Sequence, residues 1–94
     1  MSRYTKKVKE KGYELAWGYD EALQEYFFHK YKLDAPDDEE DVIFAISSVY
    51  TLDYHPDYPG KMRFSNGEIL ECMEPYKKHL PEEHLHAIAL DAPF

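Results

Sequence analysis

Tyr13-Glu14-Leu15-Ala16-Trp17-Gly18-Tyr19-Asp20 and, after Glu21-Ala22, the run Leu23-Gln24-Glu25-Tyr26-Phe27-Phe28-His29-Lys30-Tyr31-Lys32-Leu33 decide the fold. In the first run Tyr13, Leu15 and Trp17 point one way while Glu14, Ala16 and Gly18 point the other, the period of two that marks a half-buried strand. Gly18-Tyr19-Asp20-Glu21 brings turn chemistry, since glycine tolerates positive φ and an Asp side chain can accept from its own downstream backbone. In residues 23–33, Tyr26 and Phe28 form one alternate set and Phe27, His29, Tyr31 and Leu33 the other, which predicts a second strand rich in aromatics. A helix over residues 21–32 competes with it, because Leu23, Tyr26, Phe27, Lys30 and Tyr31 also follow a 3.6-residue period.

Outward from this pair, Asp34-Ala35-Pro36-Asp37-Asp38-Glu39-Glu40-Asp41 reads as an exposed loop, its carboxylates too crowded to pack and Pro36 lacking a donor. Val42-Ile43-Phe44-Ala45-Ile46 follows as a short apolar run, which predicts a central strand buried on both faces. Asp53-Tyr54-His55-Pro56-Asp57-Tyr58-Pro59-Gly60 is irregular by its prolines and glycine. Ser65-Asn66-Gly67-Glu68 then has the spacing of a capping box, with Phe64 and Ile69 at the hydrophobic-staple positions. Ile69, Met73, Tyr76 and Leu80 recur at helical spacing. Pro75 predicts a kink or an early end within that run. Pro81 opens a second short helix, with Glu82 and Glu83 in its first turn and Leu85, Ile88 and Ala89 as its core stripe.

The expected fold is therefore α+β in the order β-β-β-α-α. A three-stranded antiparallel sheet carries two short C-terminal helices on one face and leaves the other to solvent or a partner. Ninety-four residues suit a single core, so residues 12–94 are read as one globular domain. Residues 1–11 precede it as a basic flexible arm or an edge strand.

The run from Leu15 to Phe28, with Trp17-Gly18-Tyr19-Asp20, Leu23 and Tyr26-Phe27, resembles a pattern in small uncharacterised bacterial proteins. In those proteins a Gly-aromatic-Asp turn precedes a Leu and an aromatic pair, then an acidic loop, an apolar strand and a helix. Many of them have Pro at the position of Ala22. The resemblance implies this order of elements and no activity.

Charge narrows function further. Arg3, Lys6, Lys7, Lys9 and Lys11 against Glu10 give residues 1–11 a charge of +4, which leaves −12 on the rest of a chain whose total is −8. Such a field repels nucleic acid and anionic membranes and steers basic protein surfaces toward it. The acidity also keeps a small protein soluble. No apolar run is long enough to span a bilayer or to follow the basic start as a signal peptide, so a cytoplasmic location is expected. Cys72 is the only cysteine, which excludes an intramolecular disulfide and a cysteine-based zinc cage.

Five histidines raise a metal hypothesis that spacing does not support. His84 and His86 lie on nearly opposite faces of a helix, and Glu82 and His86 read as a solvated pair. Asp53, His55 and Asp57 alternate in a stretch with no regular backbone to aim them. Cys72 reads as a buried, inert thiol far from a helix N-terminus. No phosphate-cradling glycine motif, nucleophile elbow or His-Glu-x-x-His motif is present. No metal, cofactor or catalytic residue is therefore expected.

Nine tyrosines exceed what a core of this size needs, and tyrosine is a common interface anchor. Tyr19, Tyr54 and Tyr58 stand beside Asp20, Asp53 and Asp57. With the cluster Asp37, Asp38, Glu39, Glu40 and Asp41 they suggest an acidic, aromatic rim that docks a protein partner with a basic surface, among such surfaces those that otherwise hold nucleic acid. Small acidic phage-borne inhibitors of bacterial defence share this composition. The competing expectation is a homodimer or other small homo-oligomer, acting as an enzyme or ligand-binding protein, with an intersubunit pocket lined by Trp17, Tyr26 and His29.

Overall fold

The computed structural model describes residues 2–33, 42–48, 55–61 and 63–94. Four strands, Ser2–Val8 (β1), Tyr13–Asp20 (β2), Glu25–Lys32 (β3) and Val42–Ser47 (β4), form one antiparallel sheet in the order β1-β2-β3-β4. Two helices follow, Asn66–Met73 (α1) and Glu82–Ala89 (α2), with 3₁₀ turns at Lys9–Lys11 and Glu74–His79. The class is α+β as expected, with four strands in place of three. The added strand is the basic start. Ser2–Val8 pairs with β2 along its length, from Ser2 opposite Tyr19 to Val8 opposite Tyr13. It is thus an edge strand, whose exposed lysines suit an edge because their charges discourage further pairing.

Residues 25–32 are strand, so the competing helix over residues 21–32 is not formed. Pairing explains the outcome. Trp17 stands opposite Phe28 and Tyr19 opposite Tyr26, which puts four large rings on one face of β2 and β3. A helix would scatter the same rings around its circumference. The turn begins later than the sequence suggests: Gly18, Tyr19 and Asp20 all belong to β2, and the reversal occupies residues 21–24. The Asp20 carboxylate still organises it, accepting from the amides of Ala22 at 3.0 Å and Leu23 at 3.4 Å. Gln24, with φ 51°, takes the left-handed conformation there.

Gly18 is needed for a different reason. A Cβ at this position would sit 2.0 Å from the Ser2 carbonyl oxygen and 2.7 Å from the Phe27 ring. Neither neighbour has free space, because β1 passes on one side and the Phe27 ring covers the other.

The core lies between the sheet and the helices. Leu15, Trp17, Tyr26, Phe28, Phe44 and Ile46 meet Phe64, Ile69, Met73, Leu80 and Ile88, all buried. The opposite face, expected to meet solvent or a partner, holds buried residues too: Ala16, Phe27 and Ser47. β4 also differs from expectation, lying at the end of the sheet order and not in its centre. Its outer side is met by Phe64, whose amide donates to the Ser47 carbonyl at 2.9 Å.

The capping box is present as read. Ser65 Oγ accepts from the Glu68 amide at 3.2 Å, and Glu68 Oε1 accepts from the Ser65 amide at 3.0 Å. Both staple residues, Phe64 and Ile69, are fully buried. α1 ends at Met73 and tightens into the 3₁₀ turn that contains Pro75, the early end that proline imposes. Pro81 stands at the N-cap of α2 and not inside it, and Ala89 is exposed, so the core stripe of α2 reduces to Ile88 with Leu85 beside it.

Two outcomes follow. Gly18→Ala should cost about 2 kcal/mol or more, because its clash is with backbone that cannot rotate away; urea unfolding reads the loss, and amide exchange should show β1 released first. Glu68 is held down to about 2, chiefly by its bond to Lys61 and then by the Ser65 amide. Because the folded value lies below the usual 4.5, the stability it contributes is present above that value and is lost as pH falls toward 2. Ser65→Ala should cost about 1 kcal/mol and shift the Glu68 midpoint upward, as read by carboxyl chemical shifts.

Candidate functional site

Register places a charge where the core should be. Tyr26 and Phe28 face the helices, so Lys30 must face them as well. It lies between Leu15 and Phe44 in one row of the sheet. Lys30 Nζ donates to the Tyr76 hydroxyl at 2.9 Å and sits 4.5 Å and 4.8 Å from the ring centroids of Tyr13 and Tyr76. Two aromatic faces and one hydroxyl therefore contact the ammonium. No carboxylate pairs with Lys30 among the described residues. The sequence offered no signal of this beyond the alternation itself, once strand and register are known.

Beside Lys30 opens a cleft of about 270 Å³, between β4, residues 55–58 and the helical segment from Glu71 to Tyr76. The ring of His55 stacks on Phe44 with centroids 4.7 Å apart and planes 22° apart. Its Nδ1 accepts from the Asp57 amide at 3.1 Å, which places the ring proton on Nε2. Burial holds the His55 pKa below the usual histidine range, with Asp57 opposing that shift and Lys30 adding to it. Tyr58 packs edge-on against His55 and Phe64, yet keeps 39% of its surface exposed at the mouth.

Asp57 and Glu71 supply two carboxylates to the same lining. No cation pairs with either among the described residues, whereas the neighbouring Glu68 is taken by Lys61 at 2.6 Å and Glu74 by Lys77 at 2.7 Å. The local potential is negative, and the Cys72 thiol registers it. Burial first, then Glu71, Glu68 and Asp57, push it up to about 11. Cysteine and histidine thus share a cleft, but the surroundings keep the thiol protonated, the opposite of what a nucleophile requires.

Of the residues expected to form an acidic, aromatic rim, Tyr19, Asp20 and Tyr58 are described, and Tyr58 stands apart from the other two. Tyr19 and Asp20 end β2, where Tyr19 is half-buried against Tyr26 at 4.9 Å and Asp20 is engaged by the turn. Asp37, Asp38, Glu39, Glu40, Asp41 and Tyr54 lie outside the described residues. The chain enters that acidic stretch after Leu33, whose amide donates to the Gly12 carbonyl at the opposite end of β2. Eight residues of strand put roughly 23 Å between the two ends. Among the described residues, Tyr58 alone of those named lines the cleft.

The pocket drawn from Trp17, Tyr26 and His29 does not form within this chain. Trp17 and Tyr26 are buried on the helix face, while His29 is on the other, where its Nδ1 is bonded to the Tyr31 hydroxyl at 2.8 Å. Trp17 is committed elsewhere: its Nε1 donates to His84 Nδ1 at 3.0 Å, and His84 is sandwiched between Tyr4 and Phe94 with centroids 4.4 Å and 4.5 Å away. His86 faces Glu82 at 3.7 Å on an exposed surface. No group of three His, Cys, Asp or Glu suited to a metal occurs among the described residues. Nor, among them, is any helix long and apolar enough to cross a membrane.

No protein-family model, no curated protein and no solved structure matches the chain.

At pH 7 a thiol with a pKa of about 11 is thiolate in roughly one molecule in ten thousand. Iodoacetamide should therefore leave Cys72 unmodified in the folded protein under conditions that alkylate it in urea. Mass spectrometry of the two samples checks this, and rapid native labelling would refute it.

Proposed function

We propose that the protein is a small acidic binding module that docks a basic surface of a partner protein, and that it does so at the mouth of the cleft beside Lys30. The observation that carries this reading is the company of Tyr58, Asp57 and Glu71: a part-exposed phenol ring next to two carboxylates that no cation among the described residues pairs with, on the rim of a cleft whose lining also includes Ile43, Phe44 and Pro75. An Arg or Lys side chain suits such a rim. Its stem packs on the ring and its charge meets the carboxylates, from which the remaining acidity of the chain does not distract it. The overall charge of −8 adds long-range attraction for the same class of surface. An enzymatic reading has less support, since the thiol of the cleft is held protonated and its histidine has one nitrogen occupied by backbone.

The test is affinity capture from a cell extract with the wild-type chain and with the double variant Tyr58→Ala, Glu71→Gln. A protein retained in saturable amount by the wild type, released by salt and lost with the double variant is the expected result. Retention of the same protein by both chains, or of none, overturns the assignment of this surface.

A further inference from the structure

The cleft carries charge of both signs, and no ion pair joins them among the described residues. Its lining includes three hydrogen-bond donors: the Lys30 ammonium, the Tyr76 hydroxyl that accepts from it and so directs its own proton elsewhere, and the Nε2–H of His55. The His55 proton has no acceptor among the described residues. Asp57 and Glu71 belong to the same lining, Asp57 beside His55 and Glu71 beside Cys72. The Lys30 ammonium is held by the Tyr13 and Tyr76 rings and the Tyr76 oxygen.

Each half alone selects poorly. A dianion such as phosphate would gain Lys30 but face two carboxylates, and a simple cation would gain the carboxylates but face Lys30. A group bearing both charges satisfies both halves. The small volume, about 270 Å³, admits one residue and not a folded segment, and the open mouth at Tyr58 leaves room for a chain that continues outward.

Resting on the binding role proposed above, we infer that the cleft recognises the C-terminal residue of a peptide chain ending in Arg or Lys. The terminal carboxylate lies with Lys30, Tyr76 and His55, the basic side chain lies with Asp57 and Glu71, and the preceding residue passes over Tyr58. Capture of a chain-end carboxylate by converging donors is an established mode of peptide recognition. Charge-assisted bonds of this kind are the strong ones.

The experiment titrates the ¹⁵N-labelled protein with four probes: the acetylated peptide Gly-Gly-Gly-Arg with a free carboxylate, the same peptide amidated, the free-acid peptide ending in Leu, and free L-arginine. Saturable shifts near Tyr58 and Tyr76 are expected for the Arg acid, with the amide weaker by about tenfold or more. Lys30→Met should erase the difference between acid and amide. Tyr76→Phe, which removes only an oxygen, should reduce it, and the spectra of both variants report whether the fold is kept. An amide that binds as well as the acid overturns this inference and leaves the basic-surface reading standing. A Leu acid that binds as well as the Arg acid keeps the carboxylate subsite and removes the role of Asp57 and Glu71, and with it that reading. Free arginine binding as tightly as the peptide overturns the assignment to a chain end, and no saturable shift with any probe overturns both.

Discussion

The opposition of Trp17 to Phe28 fixes the molecule. Once those two rings share a face, every other residue of β2 and β3 has its side assigned by alternation, because a slip of one position would turn all of them over. Tyr19 and Tyr26 follow inward at one end and Leu15 at the other, and the helices close on the layer so formed. The same rule that buries the rings also carries Lys30 to the inner face. A lysine there costs desolvation unless its charge is met, and Tyr13 and Tyr76 meet it with their faces and one hydroxyl.

The cleft is a consequence of that placement. Helical packing cannot close over an ammonium as it does over Phe28, and the chain narrows there into a 3₁₀ turn through Pro75. The space left is bordered by a stacked imidazole and by carboxylates that nothing in the described chain neutralises. Its electrostatics work against thiolate chemistry. In this respect the fold and the acidic composition act together: one supplies a recess, the other a potential.

Much of the architecture was legible from local rules. The capping box with its staple, the proline that ends α1, the alternation in residues 13–17 and the Asp20 turn all depend on neighbours within a few positions, which a sequence displays directly. What escaped reading depends on distant partners. The basic start reads as either a flexible arm or an edge strand until β2 is present to pair with it, and Gly18 looks like a turn residue until the Ser2 carbonyl is found against it. β4 looks central because it is apolar, yet its place in the sheet is set by which strands lie beside it. The site was harder still. Tyr58 was singled out by its exposed, acidic setting, but Lys30 comes from β3 and Glu71 and Tyr76 from one helical segment some forty residues on, and they share no motif. The residues grouped with Tyr58 by composition were brought to other ends of the sheet or lie outside the described residues.

The first and last described residues are stitched together. Ser2 Oγ donates to the Phe94 carbonyl and accepts from the Tyr19 amide, Tyr4 stacks on Phe94, and the Tyr26 hydroxyl donates to the Ala92 carbonyl at 2.8 Å. A contact spanning 92 positions closes a long loop, and the entropic cost of such closure grows only slowly with length. The seam also couples the edge strand to the residues that follow α2, so that loosening either one uncovers the rings packed beneath the other.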